Sequence, residues 1–537
     1  MNKFLPMEKR AVKVDFSLMR QRLLLFILLM FFIFSASAQT TFRKTYGDST
    51  VNDNGQSILQ TRDGGFLIAG TQFNTGNLFE SLFLIRTDHN GDTLWTKLVK
   101  EPAVNYSGSQ VIQTFDGGFA ITGIKGGGVS FVPYLLRIDS LGNFISNKSY
   151  LWFADEHINS IVQNPDSGFL LAGYLYNGNN LVYFIRTDSV GDTLWTKSYG
   201  ETLFNANIYS LRVAKDGGFI AAGSIQNTNT QDVDAFLFKT DSMGNIQWAK
   251  GFGDVGYDYA QQIEVTNDSG FIMAAVTYSF GAGLADYYVI KTDSFGNPLW
   301  SKTYGGASDD RSESIRQTDD GGYLISGESA SFSFGNFDVY MIRTDSNGDT
   351  LWTKTVNGLE NNEAYSMVLT EDSGFAIAGT YFSQFSNNDV FFLKADASGS
   401  MGCSERSTAT TVNIPATIIT NHHLNYFPSQ PSVISHTLEI KSGARVETLC
   451  FPLSIEEFKR SPVFAYPNPA NSQCTIYNSQ FTIEEVKIFN FIGEAVQIPI
   501  TYNHQYAKLE IDKLAPGIYF LLISTNNELY SASLLKQ

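Results

Sequence analysis

The chain has 537 residues, of which 43% are hydrophobic and only 17% are charged, which excludes a disordered polyelectrolyte. Aromatic residues make up 14%, and 46 glycines against 14 prolines favour many short strands joined by tight turns rather than a helical bundle. The formal net charge of −16 excludes a nucleic-acid binder that works through a basic surface. With three cysteines and six histidines, no metal framework and no cofactor is expected.

The N-terminus has the order of a secretory signal peptide. Arg20 and Arg22 precede an apolar run over 23–34, and small residues follow it, so cleavage is expected between Ala38 and Gln39. The alternative is an uncleaved signal anchor, but the run is shorter than the roughly 20 residues that span a membrane. Removal of the segment leaves 31 basic and 51 acidic residues and a net charge of −20. This pattern predicts an exported protein that is not integral to a membrane.

Two short blocks recur seven times after this segment. The first block is Asp-Gly-Gly or Asp-Ser-Gly followed by an aromatic residue, at steps of 50 to 53 residues. It begins at Asp63, Asp116, Asp166, Asp216, Asp268, Asp320 and Asp372. The second block, a basic residue two positions before an aspartate, begins at Arg86, Arg137, Arg186, Lys239, Lys291, Arg343 and Lys394. A period near 50 residues is in the range of β-propeller blades.

Each repeat reads as four strands. The third strand is a continuous apolar run, as over 339–342, and such runs indicate a strand that is covered on both faces. A blade stacked between two other blades supplies that cover. The fourth strand usually carries a tryptophan, which we interpret as a wedge between blades rather than a ligand platform. The five are Trp95, Trp195, Trp248, Trp300 and Trp352.

The seventh repeat stops before its fourth strand, and the N-terminal segment 42–47 resembles that missing strand. The sequence therefore predicts an all-β protein with a closed seven-bladed β-propeller over residues 39–399, behind a signal peptide over 1–38. The repeats resemble those of the four-stranded-blade propellers, such as the WD-type and quinoprotein-type families. Their Asp-to-Gly spacing differs by one residue from the quinoprotein pattern, so quinone binding does not follow from the resemblance.

Periodicity breaks near residue 400, and residues 400–460 are predicted to be an irregular, β-rich linker. Cys403 and Cys450 bracket this segment, and a disulfide between them is plausible in an oxidising compartment. Two free buried thiols are the alternative, and Cys474 is the odd cysteine in the next domain.

Residues 463–537 resemble the C-terminal sorting domain of the type IX secretion system of gram-negative bacteria. The resemblance implies a small β-sandwich, handling by the type IX secretion machinery, passage through the outer membrane, and removal of the tail with release or surface attachment. A plain immunoglobulin-like adhesive domain is the alternative. The residues that carry the resemblance are Pro467, Asn468, Pro469, Gly493, Leu514, Gly517, Tyr519 and Lys536.

The sequence contains no catalytic signature. It has no nucleophile elbow, zinc-protease helix or phosphate-binding loop, so no catalytic or metal-binding residue is predicted. The run Asp155-Glu156-His157 could be an acid/base cluster, but its carboxylates occupy a position that is Asp or Asn in every repeat. We therefore expect these groups to cap the loop that leads into each first strand.

The loops that join the second strand to the third, and one blade to the next, vary among the repeats and carry aromatic residues. Variable loops on a uniform scaffold are where binding usually resides, so Phe332, Phe334 and Tyr381 are the candidate ligand face. Packing of these rings onto neighbouring blades is the alternative. The sequence predicts a non-enzymatic surface or secreted binding module for a glycan or protein ligand, with no nucleic-acid partner. A glycan-active enzyme and a structural adhesin or matrix protein are the alternatives.

Overall fold

The computed structural model describes most of the chain, in segments separated by short gaps. These segments are 39–47, 50–74, 79–101, 103–127, 130–151, 155–333, 337–356, 361–383, 387–402, 405–429, 432–435, 439–441, 445–450, 463–466, 472–478, 483–490, 495–503, 506–525 and 529–536. The chain divides into two compact units, residues 1–452 and 453–537. The predicted signal peptide and its cleavage site at Ala38 lie outside the described residues, which contain no helix that could cross a membrane.

All regular structure in the described segments is β-strand. The seven repeats and the segment before them form strands β1 to β28. These are β1 (Phe42–Gly47), β2 (Asn52–Gln60), β3 (Phe66–Asn74), β4 (Phe79–Thr87), β5 (Thr93–Lys100), β6 (Asn105–Gln113), β7 (Phe119–Gly127), β8 (Ser130–Ile138), β9 (Phe144–Leu151), β10 (Glu156–Gln163), β11 (Phe169–Tyr176), β12 (Asn180–Thr187), β13 (Thr193–Gly200), β14 (Phe204–Val213), β15 (Phe219–Asn227), β16 (Val233–Thr240), β17 (Ile246–Gly253), β18 (Asp258–Val265), β19 (Phe271–Thr277), β20 (Asp286–Thr292), β21 (Pro298–Gly305), β22 (Asp310–Gln317), β23 (Tyr323–Ser329), β24 (Asp338–Thr344), β25 (Thr350–Val356), β26 (Asn361–Leu369), β27 (Phe375–Phe382) and β28 (Asp389–Ala395).

The segment after the repeats adds seven short strands to the first unit. These are β29 (Glu405–Ser407), β30 (Thr411–Asn413), β31 (Ile418–Asn421), β32 (Asn425–Ser429), β33 (Ser432–Ser435), β34 (Glu439–Lys441) and β35 (Arg445–Cys450).

Strands β1 to β35 form seven antiparallel sheets of five strands, and the fold is propeller-like. We number the sheets in the chain order of their first strands. Their strand orders are β2-β3-β4-β5-β34, β6-β7-β8-β9-β33, β10-β11-β12-β13-β32, β14-β15-β16-β17-β31, β18-β19-β20-β21-β30, β22-β23-β24-β25-β29 and β26-β27-β28-β1-β35.

Sheet 7 contacts sheet 1 in the same way as the other neighbouring sheets contact each other. Each first strand lies against the next, and β26 lies against β2. The Ile58 N–H donates to Ser366 Oγ of sheet 7 at 3.2 Å, as the Leu211 N–H of sheet 4 donates to Ser160 Oγ of sheet 3 at 3.0 Å. The Glu371 N–H donates to Gln60 Oε1 at 2.9 Å. These bonds replace sheet pairing between blades.

The N-terminal strand fills the place predicted for it. β1 pairs with β28, with Phe42 opposite Lys394 and Tyr46 opposite Val390, and so supplies the fourth strand of sheet 7. Its other edge pairs with β35. Both edges of β1 are therefore hydrogen-bonded within one sheet.

Residues 405–450 differ from the expected irregular linker. Their seven strands each pair with the outer edge of one sheet, visiting sheets 6, 5, 4, 3, 2, 1 and 7 in that order. We call this segment the belt. The physical reason is that each fourth strand would otherwise present unpaired N–H and C=O groups at the rim, and the belt satisfies them.

Neighbouring sheets pack through the fourth-strand tryptophans, as expected for a wedge. Trp95, Trp195, Trp248, Trp300 and Trp352 each lie against the glycine of the turn that follows the third strand of the next sheet. That glycine has a positive φ, as at Gly348 (78°), and a Cβ there would lie 2.9 Å from the Trp300 ring. Phe42 of β1 takes the same place against Gly91 of sheet 1.

The second unit consists of two four-stranded antiparallel sheets around one core. Their orders are β36-β37-β41-β40 and β39-β38-β42-β43. The core includes Cys474, Val486, Leu509, Leu521 and Leu534. The strands are β36 (Val463–Tyr466), β37 (Gln473–Asn478), β38 (Ile483–Phe489), β39 (Ala495–Val496), β40 (Ile500–Asn503), β41 (Tyr506–Glu510), β42 (Gly517–Thr525) and β43 (Leu529–Lys536).

Candidate functional site

The seven sheets present two different ends. The turns between strands one and two and between strands three and four lie at one end, which we call the turn face. The connections between strands two and three, and between sheets, lie at the other end, which we call the loop face. In sheet 6, for example, Gln317 pairs with Tyr323 at the turn face and Asp310 pairs with Ser329 at the loop face.

On the turn face, the two repeated blocks contact each other. The aspartate of the first block forms an ion pair with the basic residue of the second block, at 2.6 Å between Asp63 and Arg86 and at 2.8 Å between Asp268 and Lys291. The other pairs are Asp116–Arg137, Asp166–Arg186, Asp216–Lys239, Asp320–Arg343 and Asp372–Lys394. The Thr318 hydroxyl, the Gly322 N–H and Arg343 together lower the pKa of Asp320 to about 2.

Two residues after each of these aspartates is a glycine, and the absence of a side chain there leaves room for the ion pair. A Cβ on Gly322 would lie 2.3 Å from the Thr344 carbonyl oxygen and 2.4 Å from Arg343 Nη1. The same approach recurs in all seven repeats, with the carbonyl 2.2–2.6 Å from the added Cβ. The sevenfold repetition identifies the turn face as scaffold.

A cavity of about 590 Å³ lies along the axis, and residues from the first strands of all seven sheets line it. One side chain per first strand forms a ring around it, in which amides, a serine, two tyrosines and one carboxyl take the same repeat position. The ring consists of Gln56, Ser109, Asn159, Tyr209, Gln261, Glu313 and Tyr365. We call this cavity the channel.

Charged side chains of sheets 4, 5 and 6 occupy the repeat position three residues further along, and those of Arg212 and Arg316 line the channel. Arg212 Nε lies 3.4 Å from Glu264 Oε2, and Arg316 Nη1 lies 3.7 Å from the same oxygen. The other four sheets carry aliphatic residues at this position. They are Leu59, Ile112, Val162 and Val368.

The loop-face end of the channel carries three carboxyl groups from sheets 6 and 7. Gln261 Nε2 donates to both oxygens of Glu313, at 3.0 and 2.9 Å. Burial, and then the charge of Glu328, raise the pKa of Glu313 to about 8. Burial, and then Glu363, raise the pKa of Glu328 to about 7. Burial, together with the neighbouring carboxyl charge, therefore keeps Glu313 largely protonated at pH 7.

One arginine and a group of tyrosines border these carboxyls. Arg311 lies 3.3 Å from Asp309 and 3.5 Å from Glu328, and its guanidinium carbon is 5.1 Å from the Phe337 ring centroid. Tyr257 and Tyr278 are half-exposed, with ring centroids 6.2 Å apart. Aromatic faces beside polar groups are thus exposed at the channel mouth in sheets 5 and 6.

Further along the loop face, carboxylates meet in pairs at the junctions between sheets. A Cβ on Gly305 would lie 1.7 Å from Asp286 Oδ1 and 2.7 Å from Asp310 Oδ2, and Gly253 stands in the same relation to Asp234 and Asp258. Burial, opposed by two backbone N–H groups, raises the pKa of Asp286 to about 6. Only glycine can end the fourth strand where two carboxylates approach so closely.

The candidate ligand-face residues lie near packed rings. Phe332 is partly buried, with its ring centroid 5.2 Å from that of Tyr340, and Tyr381 packs against the core between sheets 6 and 7. Phe334 lies outside the described residues. Their contacts suit the packing alternative, and their role in binding stays a prediction.

His157 belongs to the loop face of sheet 3. Its Nε2 lies 3.0 Å from Asp155 Oδ1, and its ring stacks on Tyr174 at 4.7 Å between centroids. Asp53, Glu156, Asp258, Asp310 and Asn362 are buried at the same repeat position at the start of the first strands. The recurring position is therefore occupied by a buried carboxyl or amide group in five of the seven repeats, with Tyr106 and Ala206 in the other two.

The described residues contain no cluster of three or more groups that could hold a metal ion. Cys450 lies in β35, whereas Cys403 is outside the described residues, so the predicted disulfide is untested. Cys474 is a free thiol buried in the second unit. His422 is buried within the belt, between β31 and β32, with Nδ1 3.1 Å from Glu201 Oε2.

In the second unit, the described residues of the predicted sorting motif are structural. Leu514 and Tyr519 belong to the core, and the Tyr519 hydroxyl donates to the Ala515 carbonyl at 2.9 Å. Gly517 pairs with Lys536 at the end of the sheet. Pro467, Asn468, Pro469 and Gly493 lie outside the described residues.

Residues 465–537 match the family model described as secretion system C-terminal sorting domain. The tail is a type IX sorting domain. The chain is therefore exported, to be attached at the cell surface or secreted. The sorting domain accounts for the second unit and says nothing about the channel of the first.

Comparison with curated protein sequences gives no significant match. Among solved structures, a protein of unknown function from Dyadobacter fermentans has a TM-score of 0.37 at 10% identity, covering 66% of this chain and 98% of its own. Sqt1 from Chaetomium thermophilum has a TM-score of 0.36 at 11% identity, covering 63% and 81%. An endo-1,5-alpha-L-arabinanase from Thermotoga petrophila has a TM-score of 0.25 at 10% identity, covering 67% and 100%. Similarities this distant assign no activity to the chain.

Proposed function

We propose that the protein is an exported, closed seven-bladed β-propeller that binds an extracellular ligand in its channel, with the sorting domain as a removable address. The observation that carries the proposal is the asymmetry of the channel. Sheets 4 to 7 supply its charged and tyrosine side chains, whereas the other first strands supply amides, serines and aliphatic groups. A ring with only a structural role would not require different channel side chains in different sheets, because the seven sheets use the same ion pair and glycine at the turn face.

Closure of the ring is tested by deleting residues 42–47. Sheet 7 then loses its fourth strand, and β28 and β35 lose their shared partner. Unpaired edges destabilise a sheet and template association, so we expect a loss of several kcal/mol and aggregation. Thermal unfolding followed by circular dichroism measures the loss, and an unchanged melting temperature would contradict a ring closed by β1.

The address role is tested by deleting residues 463–537. The two compact units have separate cores, so the first unit should fold without the tail. We expect a folded propeller that accumulates in the periplasm. Surface delivery of the truncated chain, measured by cell fractionation, would contradict the address role.

The binding role is tested with glycan arrays and a panel of native surface proteins, using the mature chain and a Gln261→Ala variant. Gln261 lines the channel and its Nε2 donates to both oxygens of Glu313, so its loss should weaken ligand binding, and thermal unfolding of the variant is measured beside binding. A matched control is Gln247→Ala on the turn face, where the exposed amide accepts a hydrogen bond from Lys239 at 2.9 Å and does not line the channel. Equal binding by both variants would place the ligand elsewhere.

A second candidate function, glycan hydrolysis, is favoured by the carboxyl group cluster at the channel mouth. Glycoside cleavage uses one protonated carboxyl as general acid beside an ionised one. Glu313, with its pKa raised to about 8, has the protonation state of a general acid at pH 7, and Glu363 is a neighbouring carboxyl. A hydrolase panel comparing the native chain with Glu313→Gln tests this, because the substitution should remove activity and keep binding.

A further inference from the structure

The channel holds more positive than negative charge at one level. Arg212 and Arg316 approach a single carboxylate, that of Glu264, from the two neighbouring sheets. Two guanidinium groups against one carboxylate leave a net charge of +1, within a chain whose formal net charge is −16. The Glu264 carboxylate compensates one of the two positive charges, so one positive charge at this level of the channel has no partner.

Several donors of these two arginines are unused by the protein. Arg212 donates from Nε to Glu264 and from Nη1 to the Leu211 carbonyl at 2.8 Å. Arg316 donates from Nη1 to Gln262 and to the Ile315 carbonyl. Nη2 of Arg212, and Nε and Nη2 of Arg316, form no hydrogen bond with any residue the structure describes, and they are not sealed from the cavity.

Arg316 keeps its charge at neutral pH. Burial, and then the charge of Arg212, lower the pKa of Arg316 to about 10, which still leaves the group protonated at pH 7. Glu313 does not cancel this charge, since its raised pKa keeps it mostly neutral. The positive charge that Glu264 leaves uncompensated therefore favours an anionic ligand.

The rest of the channel offers hydrogen bonds to a polar ligand of modest size. Gln56, Asn159 and Gln261 present amides, and Tyr209 and Tyr365 present aromatic rings at the same level. The cavity of about 590 Å³ is within the usual range for small-molecule sites. Amides and tyrosines beside a cationic pair match the hydroxyl groups, the ring faces and the carboxylate of an acidic sugar.

We propose that the channel binds an acidic sugar unit, a uronic acid or a similar carboxylate-bearing residue, with its carboxylate held by Arg212 and Arg316. This inference rests on the proposed ligand-binding role of the channel and adds the chemical class of the ligand. Planar guanidinium groups favour carboxylates because two parallel N–H bonds can form at once. The acidic outer surface disfavours long polyanions, so the unit recognised is short or terminal.

The test is calorimetric titration of the mature chain with galacturonate and glucuronate oligosaccharides. The matched neutral oligosaccharides and inorganic sulfate are separate arms. Variants are Arg316→Gln and Arg212→Gln, with Arg62→Gln as the control, because Arg62 bonds only backbone carbonyls and the neighbouring turn on the turn face. We expect acidic oligosaccharides to bind at least tenfold more weakly to either channel variant and unchanged to the control. If Arg316→Gln does not fold, Arg316→Lys supplies a variant that keeps the charge and loses the paired donors.

Three results would overturn the inference, and they differ in what they leave of the proposed function. Equal binding of neutral and acidic sugars, unaffected by Arg316→Gln but lost in Gln261→Ala, would remove the acidic class and keep the channel as the site. Binding of sulfate without binding of any acidic sugar would mean an anion site only. If no ligand binds in any arm, and Gln261→Ala does not affect a partner found by the array, then neither the acidic-sugar ligand nor the channel as the binding site is supported.

Discussion

The turn face and the loop face use carboxylates in opposite ways. On the turn face, each of seven aspartates is matched with one basic residue of its own sheet, as in Asp320–Arg343. On the loop face, carboxyl groups crowd together, as at Asp286–Asp310 and at Glu313 beside Glu328 and Glu363. Matched charge repeated seven times stabilises the scaffold, whereas unmatched charge restricted to some sheets costs stability and marks the region where a ligand would act.

The turn face should be broken most strongly by a single methyl group at the glycine beside an ion pair. Gly322→Ala would bring Cβ within 2.3 Å of the Thr344 carbonyl oxygen and displace Arg343. We expect a loss of about 2–4 kcal/mol, measured by chemical denaturation. Gly321→Ala is the matched control, because its positive φ of 84° is strained but nothing lies within 4 Å, so the cost should be about 1 kcal/mol. Equal losses would show that the ion pair is not confined by this glycine.

The loop face should respond to loss of a carboxylate in the opposite direction. The folded pKa of Asp286, about 6, lies above its ordinary value of 3.8, so the stability linked to its proton is present at low pH and is lost as pH rises through 6. Asp286→Asn should therefore stabilise the chain at pH 7, by up to about 3 kcal/mol, and flatten the fall in melting temperature between pH 4 and 6.

The same substitution on the turn face is the control for this prediction. Asp320 has a pKa lowered to about 2, so its contribution is present above pH 4 and is lost as pH falls toward 2. Asp320→Asn should lower the melting temperature at pH 7 and reduce acid sensitivity. If both variants shift the melting temperature in the same direction, the contrast between the two faces is wrong.

The smallest effect should come from the serines that replace a turn glycine. Ser167, Ser269 and Ser373 have positive φ at a position that is glycine in the other four repeats. The left-handed conformation costs a non-glycine residue about 1–2 kcal/mol. Glycine avoids this strain but loses more backbone entropy on folding, which offsets part of the gain. Ser269→Gly should raise stability by about 0.5 kcal/mol, whereas Ser294→Gly in the next turn, with no positive φ, should lower it slightly. A destabilised Ser269→Gly would show that the serine hydroxyl matters to the turn.

The repeated features of the fold could be predicted from the sequence, and the single features could not. Two blocks that recur every 50 to 53 residues predicted four strands per repeat, 28 in all, and identified 42–47 as the strand that completes sheet 7. The contact between those blocks was not predicted, because nothing in either block alone shows that Asp320 faces Arg343 across a sheet.

The belt and the channel charges were missed for different reasons. Belt strands have three to six residues and little alternation, so they resemble loop, although their starts recur every six or seven residues, once per sheet. Arg212, Glu264 and Arg316 lie in three different strands and in no shared local motif, but their spacing of 52 residues equals the repeat. Aligning the repeats by position would have shown three charges where the other four repeats are aliphatic.

The reversed course of the belt sets an order in which the molecule can assemble. Its first strand pairs with residues only 49 positions earlier, Val356 with Glu405, and its last pairs Gly47 with Arg445, 398 positions apart. Closing so long a loop in one step is slow, but each belt strand that docks brings the next to within a few residues of its partner. The belt strands should therefore pair in order, from β29 on sheet 6 to β35 on sheet 7, so that the pairing of β35 with β1 forms last. Among the described residues, the strands of the seven sheets end at Cys450, so cutting away the sorting domain after this step should leave every strand pair of those sheets in place.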